Sequence, residues 1–157
     1  GSFIGEFARE SRKITDYVLA LEPDPINYAV CKKNLDNVTV CQIAAWNETG
    51  EKPFNTGTDT SESSILGIDT AEVRSVEETR TSRLDKLLGE HVDFVKIEAE
   101  GAEPEVVEGM AGILPEKVSV DCSPERRGSS PINEIINTLE SRGYTVREKN
   151  MVVFGHL

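Results

Sequence analysis

Apolar runs alternate with helix-spaced patterns along this chain, which predicts an α/β architecture with helices on the faces of a sheet. TDYVLALEPDP, residues 15 to 25, reads as a buried strand that ends at Glu22 and is closed by two prolines. Pro25 suits the first turn of a helix, and Ile26, Ala29, Val30 and Leu35 keep a helical spacing until Asp36-Asn37 breaks it. NVTVCQIAAW, residues 37 to 46, predicts a second strand, and the turn-rich NETGEKPFNTG after it can carry a small hairpin. Residues 55 to 72 are polar and Ser/Thr-rich, so a long surface loop is expected there, and loops of this length are often functional. VEETRT leads into SRLDKLLGE, where Ser82 and Asp85 have the spacing of a capping box. HVDFVKIEAE predicts a strand, AEPEVVEGMAGIL a helix with an acidic first turn, and KVSVDCS another strand. PINEIINTLESRG predicts a helix stopped by Gly143, and YTVREKNMVVFG an antiparallel hairpin.

The strand HVDFVKIEAE raises a chemical question. Period-two alternation over residues 91 to 100 puts Phe94, Lys96, Glu98 and Glu100 on one side, with Val95, Ile97 and Ala99 on the other. In open α/β sheets ligands sit beyond the carboxyl ends of the strands. Glu22, the Glu98/Glu100 pair and Asp121 each stand near a strand end, so these acids are expected to converge on one rim. Lys96 lies deeper, where an unpaired ammonium is costly, and should meet Glu98 or Glu100. Two carboxylates and one ammonium in a partly buried cleft raise one acid's pKa by like-charge repulsion, and such a group accepts a proton. The plainer account is that Glu100 caps the following helix and Glu98 only pairs with Lys96. A second informative stretch is GSFIG, residues 1 to 5. Gly-x-x-x-Gly before a helical FIGEFARESRKI fits a turn that lets a ligand approach the backbone. Glu22 at the next strand end can accept protons from two ribose hydroxyls, although the G-x-G-x-x-G spacing of a dinucleotide site is absent.

Composition narrows the classes. A chain of 157 residues fits one domain, residues 1–157, able to bury a core without disulfides or a structural metal. No apolar run approaches the roughly 18 residues of a membrane span. Seventeen basic against 28 acidic residues give a net charge of −11, which opposes a phosphate-tracking nucleic-acid binder or a polybasic membrane anchor. Cys31, Cys41 and Cys122 are widely spaced, with only His91 and His156 as further soft ligands, so no zinc site is expected. Unpaired, apolar cysteines point to a reducing, cytoplasmic compartment.

GSFIGEF, LALEPDPINYAVCKKNL, AAWNETGE and VDFVKIEAEGAEPEVVEGM, in this order, resemble the FkbM-type S-adenosylmethionine-dependent methyltransferases over nearly the whole chain. The resemblance implies a Rossmann-like class I sheet, mostly parallel with a C-terminal antiparallel hairpin and helices on both faces. It implies S-adenosylmethionine as cofactor and a hydroxyl of a sugar, glycolipid or secondary metabolite as acceptor. Matched position by position, Gly1, Ser2, Phe3 and Gly5 correspond to the glycine loop at the methionine part of the cofactor, and Glu22 to the ribose-binding acid. Pro23 and Asp24 would flank the adenine, with Ile43 and Ala44 on its other side. Beyond the resemblance, the charged face of the strand leads us to expect Glu98 or Glu100 as the general base, with Lys96 setting its pKa and the 55–72 loop covering the acceptor. Two departures stand out. The family carries Asp at the position of Glu98, and it has a strand before the glycine loop, whereas this chain begins in the loop, so the expected sheet lacks that strand. Two other readings remain: a non-catalytic nucleotide-binding or interaction module on the same fold, and an NAD-dependent dehydrogenase, which the missing glycine spacing and the terminal hairpin oppose.

Overall fold

The computed structural model describes residues 1–68 and 72–157, and the chain forms two compact units, Gly1–Ala44 with Gly50–Thr81 and Ala45–Thr49 with Ser82–Leu157. It is an α/β protein in which parallel and antiparallel strand pairings both occur. No helix among the described residues is long and apolar enough to cross a membrane.

The first unit opens with helix α1 (Glu6–Ser11), strand β1 (Leu19–Leu21), helix α2 (Pro25–Asn34) and strand β2 (Thr39–Cys41). β1 and β2 pair in parallel, with Leu19 opposite Thr39 and Leu21 opposite Cys41, as a helical crossover requires. Asp24 caps α2 by accepting the amides of Ile26 and Asn27, Pro25 occupies the first helical position, and Lys32 and Lys33 sit in the last turn, where the helix dipole favours cations. Ala8, Ala20, Cys31 and Leu35 form a buried cluster, with Val18, Val38 and Val40 packed against it. Gly5 starts α1 at φ 89, and a Cβ there would stand 2.9 Å from the Leu35 side chain and 3.1 Å from the Cys31 sulfur. Both the backbone conformation and the close approach to α2 demand glycine.

The predicted strand over 37–46 is interrupted at Gln42-Ile43 and continues as the short β3 (Ala44–Ala45). β4 (Gly50–Gly57) pairs antiparallel with β5 (Val73–Ser82), and β3 lies on the other side of β5. Two expectations are corrected here. Residues 55–57 of the predicted loop belong to β4, and Thr60–Glu62 form a 3₁₀ turn beyond it; residues 69–71 of that loop lie outside the described residues. VEETRT is a strand rather than a lead-in, because every residue from Val76 to Thr81 has a cross-strand partner in β4.

The second unit contains helix α3 (Leu84–Leu87), strand β6 (Phe94–Ile97), helix α4 (Glu103–Glu108), strand β7 (Lys117–Asp121), helix α5 (Ile132–Ser141) and strands β8 (Thr145–Lys149) and β9 (Val152–His156). Its sheet has the order β6-β7-β9-β8: β6 and β7 run parallel, and the other two pairings are antiparallel. The predicted hairpin is present, and Asn150 and Met151 turn it with φ 54 and 63, the left-handed pair of a two-residue connection. α5 packs on α4, β8 and β9. Its Ile135 and Leu139, one turn apart, are fully buried, each burial contributing roughly 1.5–3 kcal/mol.

The expected capping box is absent. Ser82 ends β5 and gives its hydroxyl proton to the Arg83 carbonyl, while Asp85 accepts from Arg83 Nε at 2.9 Å and from the Gly112 amide at 2.9 Å. The Asp85 carboxyl is held down to about 2, first by the Arg83 hydrogen bond, with burial opposing and the Gly112 amide and the Arg83 charge assisting.

Gly5→Ala should lower unfolding stability by about 1–2 kcal/mol, the cost of placing a Cβ in the left-handed region; urea denaturation reads it, and an unchanged midpoint would mean the loop relaxes freely. Asp85 titrates below its ordinary 3.8, so the stability it contributes is present above that pH and disappears as pH falls through about 2. The melting-temperature gap between the wild type and Asp85→Asn should therefore close over that interval, and a constant gap would contradict the linkage.

Candidate functional site

In the first unit the polar focus is the end of β1. Backbone pairing carries the Gly1–Gly5 loop alongside it: the Ser2 amide donates to the Leu21 carbonyl at 2.9 Å, and the Gly5 amide donates to the Ser2 carbonyl at 2.9 Å. Phe3 takes φ 49, which turns its amide onto Glu22 Oε2 at 2.7 Å, and the Asp24 amide reaches Glu22 Oε1 at 3.0 Å. Glu22 is 5% exposed. Burial pushes its carboxyl up, and the amides of Asp24 and Phe3 pull the other way. Each Glu22 oxygen thus accepts one backbone amide, which leaves acceptor capacity on both. Gly1 and Phe3 are exposed, Ser2 and Pro23 are half-buried, and Ile43 and Ala44 are buried. The Ser2 hydroxyl lies 3.4 Å from the Cys31 sulfur.

Asp24 is fully buried. Its Oδ1 takes the Ile26 and Asn27 amides at 2.8 and 3.1 Å, and its Oδ2 takes the Ser63 hydroxyl at 2.9 Å with Arg74 Nη2 at 3.6 Å. The helix cap is therefore also the anchor of the segment after β4. Sequence reading missed Ser63 and Arg74 because nothing local marks them; their partner is remote along the chain.

In the second unit the polar focus follows β6. The strand stops at Ile97, so Glu98 and Glu100 do not continue its charged face; they lie in a turn where Glu100 and Gly101 take φ 49 and 89. The expectation that Lys96 lies deep in the strand is corrected. β6 is the edge of its sheet, and Lys96 is exposed there and pairs with Glu98. That pairing itself was expected, as one of two options.

Glu103 organises the turn. Its Oε1 accepts the Ala99 amide at 2.7 Å and the Gly101 amide at 3.3 Å, while Oε2 has no hydrogen-bond partner among the described residues. The residue is 1% exposed, and burial raises its carboxyl against the pull of those amides. Glu100, half-buried beside it, is pushed up to about 8, first by burial, then by the charge of Glu125, with Glu103 and Glu98 adding to it. A carboxyl at about 8 is matched to proton transfer near neutrality. Cys122, at the end of β7, is pushed up to about 12, chiefly by burial, and is inert as a nucleophile at neutral pH. Cys31 and Cys122 pack as buried apolar groups, whereas Cys41 is half-buried. Asp121 bonds the Ser123 amide and hydroxyl at 2.9 and 2.6 Å, closing the turn after β7. The roles of Glu103 and Glu125 were not read from the sequence; the E-G-A-E run held the one signal, a second acid three residues after Glu100.

The model of the methyltransferase FkbM domain matches residues 1–146. The crystal structure of methyltransferase FkbM from Methylobacillus flagellatus KT resembles this chain with a TM-score of 0.65 at 15% identity, a likeness of fold alone. The alignment covers 100% of this chain and 42% of that one, so the chain spans less than half the length of that relative. No curated protein matches the chain. With the family model extending over all but the last residues, the chain belongs to the FkbM methyltransferase domain family.

Proposed function

We propose that this chain is an S-adenosylmethionine-dependent methyltransferase of Rossmann-like, class I arrangement that methylates a hydroxyl of a small molecule or glycan: a sugar, a glycolipid or a secondary metabolite. The observation that carries the reading is Glu22, a buried carboxylate at a strand end, with one backbone amide on each oxygen and an acceptor position left on each. A ribose cis-diol offers two donors, so this pair of acceptor positions fits an adenosyl group. Two more charge-assisted hydrogen bonds would also offset the cost of keeping this carboxylate ionised away from water. Around it, Gly1, Ser2, Phe3 and Gly5 would border the methionine part, and Pro23, Asp24, Ile43 and Ala44 the adenine. Asp24, already committed to the α2 cap, would act there through its backbone and its position.

When bound, S-adenosylmethionine supplies an electrophilic methyl group. The chain's own contributions are orientation, exclusion of water and removal of the acceptor's proton. Glu100 takes that proton. With its carboxyl at about 8, roughly a tenth of the molecules hold it ionised at pH 7, and the ionised form is a stronger base than an ordinary carboxylate. Glu98 holds Lys96 and keeps the neighbouring ammonium engaged.

Glu22→Gln should weaken S-adenosylmethionine binding by about tenfold or more in calorimetric titration, since hydrogen bonds to a charged group are worth about 1.5–3 kcal/mol. Unaltered affinity would remove Glu22 from the cofactor. Absence of any binding to the folded wild type would favour the non-catalytic module instead. Glu100→Gln should leave cofactor affinity intact and lower turnover by about 10²- to 10⁴-fold. In the wild type, turnover should rise with pH and level off above about 8, because the base form accumulates through that pKa. A flat profile, or full turnover in Glu100→Gln, would refute the base assignment.

A further inference from the structure

The turn that carries Glu100 is gripped by the segment after β7. Within residues 122–131 the Ser130 hydroxyl donates to the Cys122 carbonyl at 2.6 Å, closing the base of a loop. Arg126 and Ser129 form an antiparallel bridge, and Arg127 and Gly128 reverse the chain between them with φ 54 and 76. From this loop Arg126 Nη1 donates to the Gly101 carbonyl at 2.8 Å and to the Glu105 carboxylate at 2.7 and 3.0 Å. A Cβ on Gly101 would meet the Glu125 carbonyl at 2.8 Å, so the two backbones touch there.

We propose that Arg126 is a positioning residue, which pins the 122–130 loop onto the Glu98–Gly101 turn and holds Glu125 beside Glu100, so that proton removal at Glu100 is governed from a separate loop. The proposal deepens the reading of Glu100 as the base and rests on it. Three acids in this unit act on Glu100: Glu98 on its own turn, Glu103 on α4 and Glu125 on the loop. Among those charges, Glu125 opposes ionisation of Glu100 most strongly. The guanidinium reaches a carbonyl of the turn and a carboxylate of α4 together, so one side chain ties three segments of chain. These bonds all come from one nitrogen, so an ammonium can make them too, but on a more flexible stem it would hold the loop less firmly.

The test is a ¹³C-carboxyl NMR titration of the full chain, with the Glu100 signal identified by its loss in Glu100→Gln. Glu125→Gln should lower the Glu100 midpoint by about one pH unit, the scale of a neighbouring charge. Arg126→Gln should shift it in the same direction by freeing the loop, and Arg126→Lys should recover part of the wild-type value. If Arg126→Gln does not fold, Arg126→Lys carries the test of the clamp, with a midpoint below that of the wild type expected. A midpoint that stays put or rises in Glu125→Gln, or in a folded Arg126 variant, would overturn the proposal. The titration needs no turnover, so the two readings separate. A shifted midpoint with full turnover in Glu100→Gln sinks the base and keeps the clamp, whereas lost turnover with an unmoved midpoint does the reverse.

Discussion

A buried carboxylate that accepts two backbone amides organises the strand-end turn in each unit. Glu22 takes the amides of Phe3 and Asp24 after β1, and Glu103 takes those of Ala99 and Gly101 before α4. In both turns a residue other than glycine takes a positive φ, Phe3 in one and Glu100 in the other, and a glycine follows with φ 89. Such backbone stores strain, and amide-to-carboxylate hydrogen bonds are the local interaction strong enough to hold it. Taking a carboxylate out of water is itself costly, and the shared partners only partly offset that cost, as the raised carboxyls of both residues indicate.

These carboxylates differ from ordinary helix caps in where their energy goes. Asp24 commits its oxygens to the first amides of α2 and to Ser63, which stabilises structure. Glu22 keeps acceptor capacity on two oxygens, and Glu103 leaves one oxygen without a partner among the described residues, in a site sealed from solvent. Folding alone would favour an apolar or fully satisfied residue at such positions. Glu100 follows the same logic at a half-buried position, where burial and three neighbouring acids keep a proton on it at pH values that strip one from a solvated carboxylate.

Much of the architecture was legible because it depends on local pattern. α2 could be read from Pro25 and its apolar spacing, α5 from PINEIINTLESRG and its stop at Gly143, and the terminal hairpin from its two β-rich runs. The errors came where partners are remote. VEETRT has no apolar alternation and becomes a strand only because β4 pairs with it. Ser82 and Asp85 have the spacing of a cap, yet Arg83 and Gly112 compete successfully for Asp85. The alternation of HVDFVKIEAE continues on paper beyond Ile97, but the Glu103 carboxylate captures two amides there and ends the strand.

The sequence by itself determined the main helices, the terminal hairpin, the family and the acids worth watching, Glu22 and Glu100 among them, because short-range periodicity and motif spacing are properties of neighbouring residues. Tertiary structure alone decided which of those acids are buried, which amides they hold and which charges raise them. Glu98 and Glu100 are alike in the sequence, two residues apart on one predicted face. One meets a lysine at a sheet edge and the other meets Glu125 from a distant loop, because desolvation and charge act through space rather than along the chain.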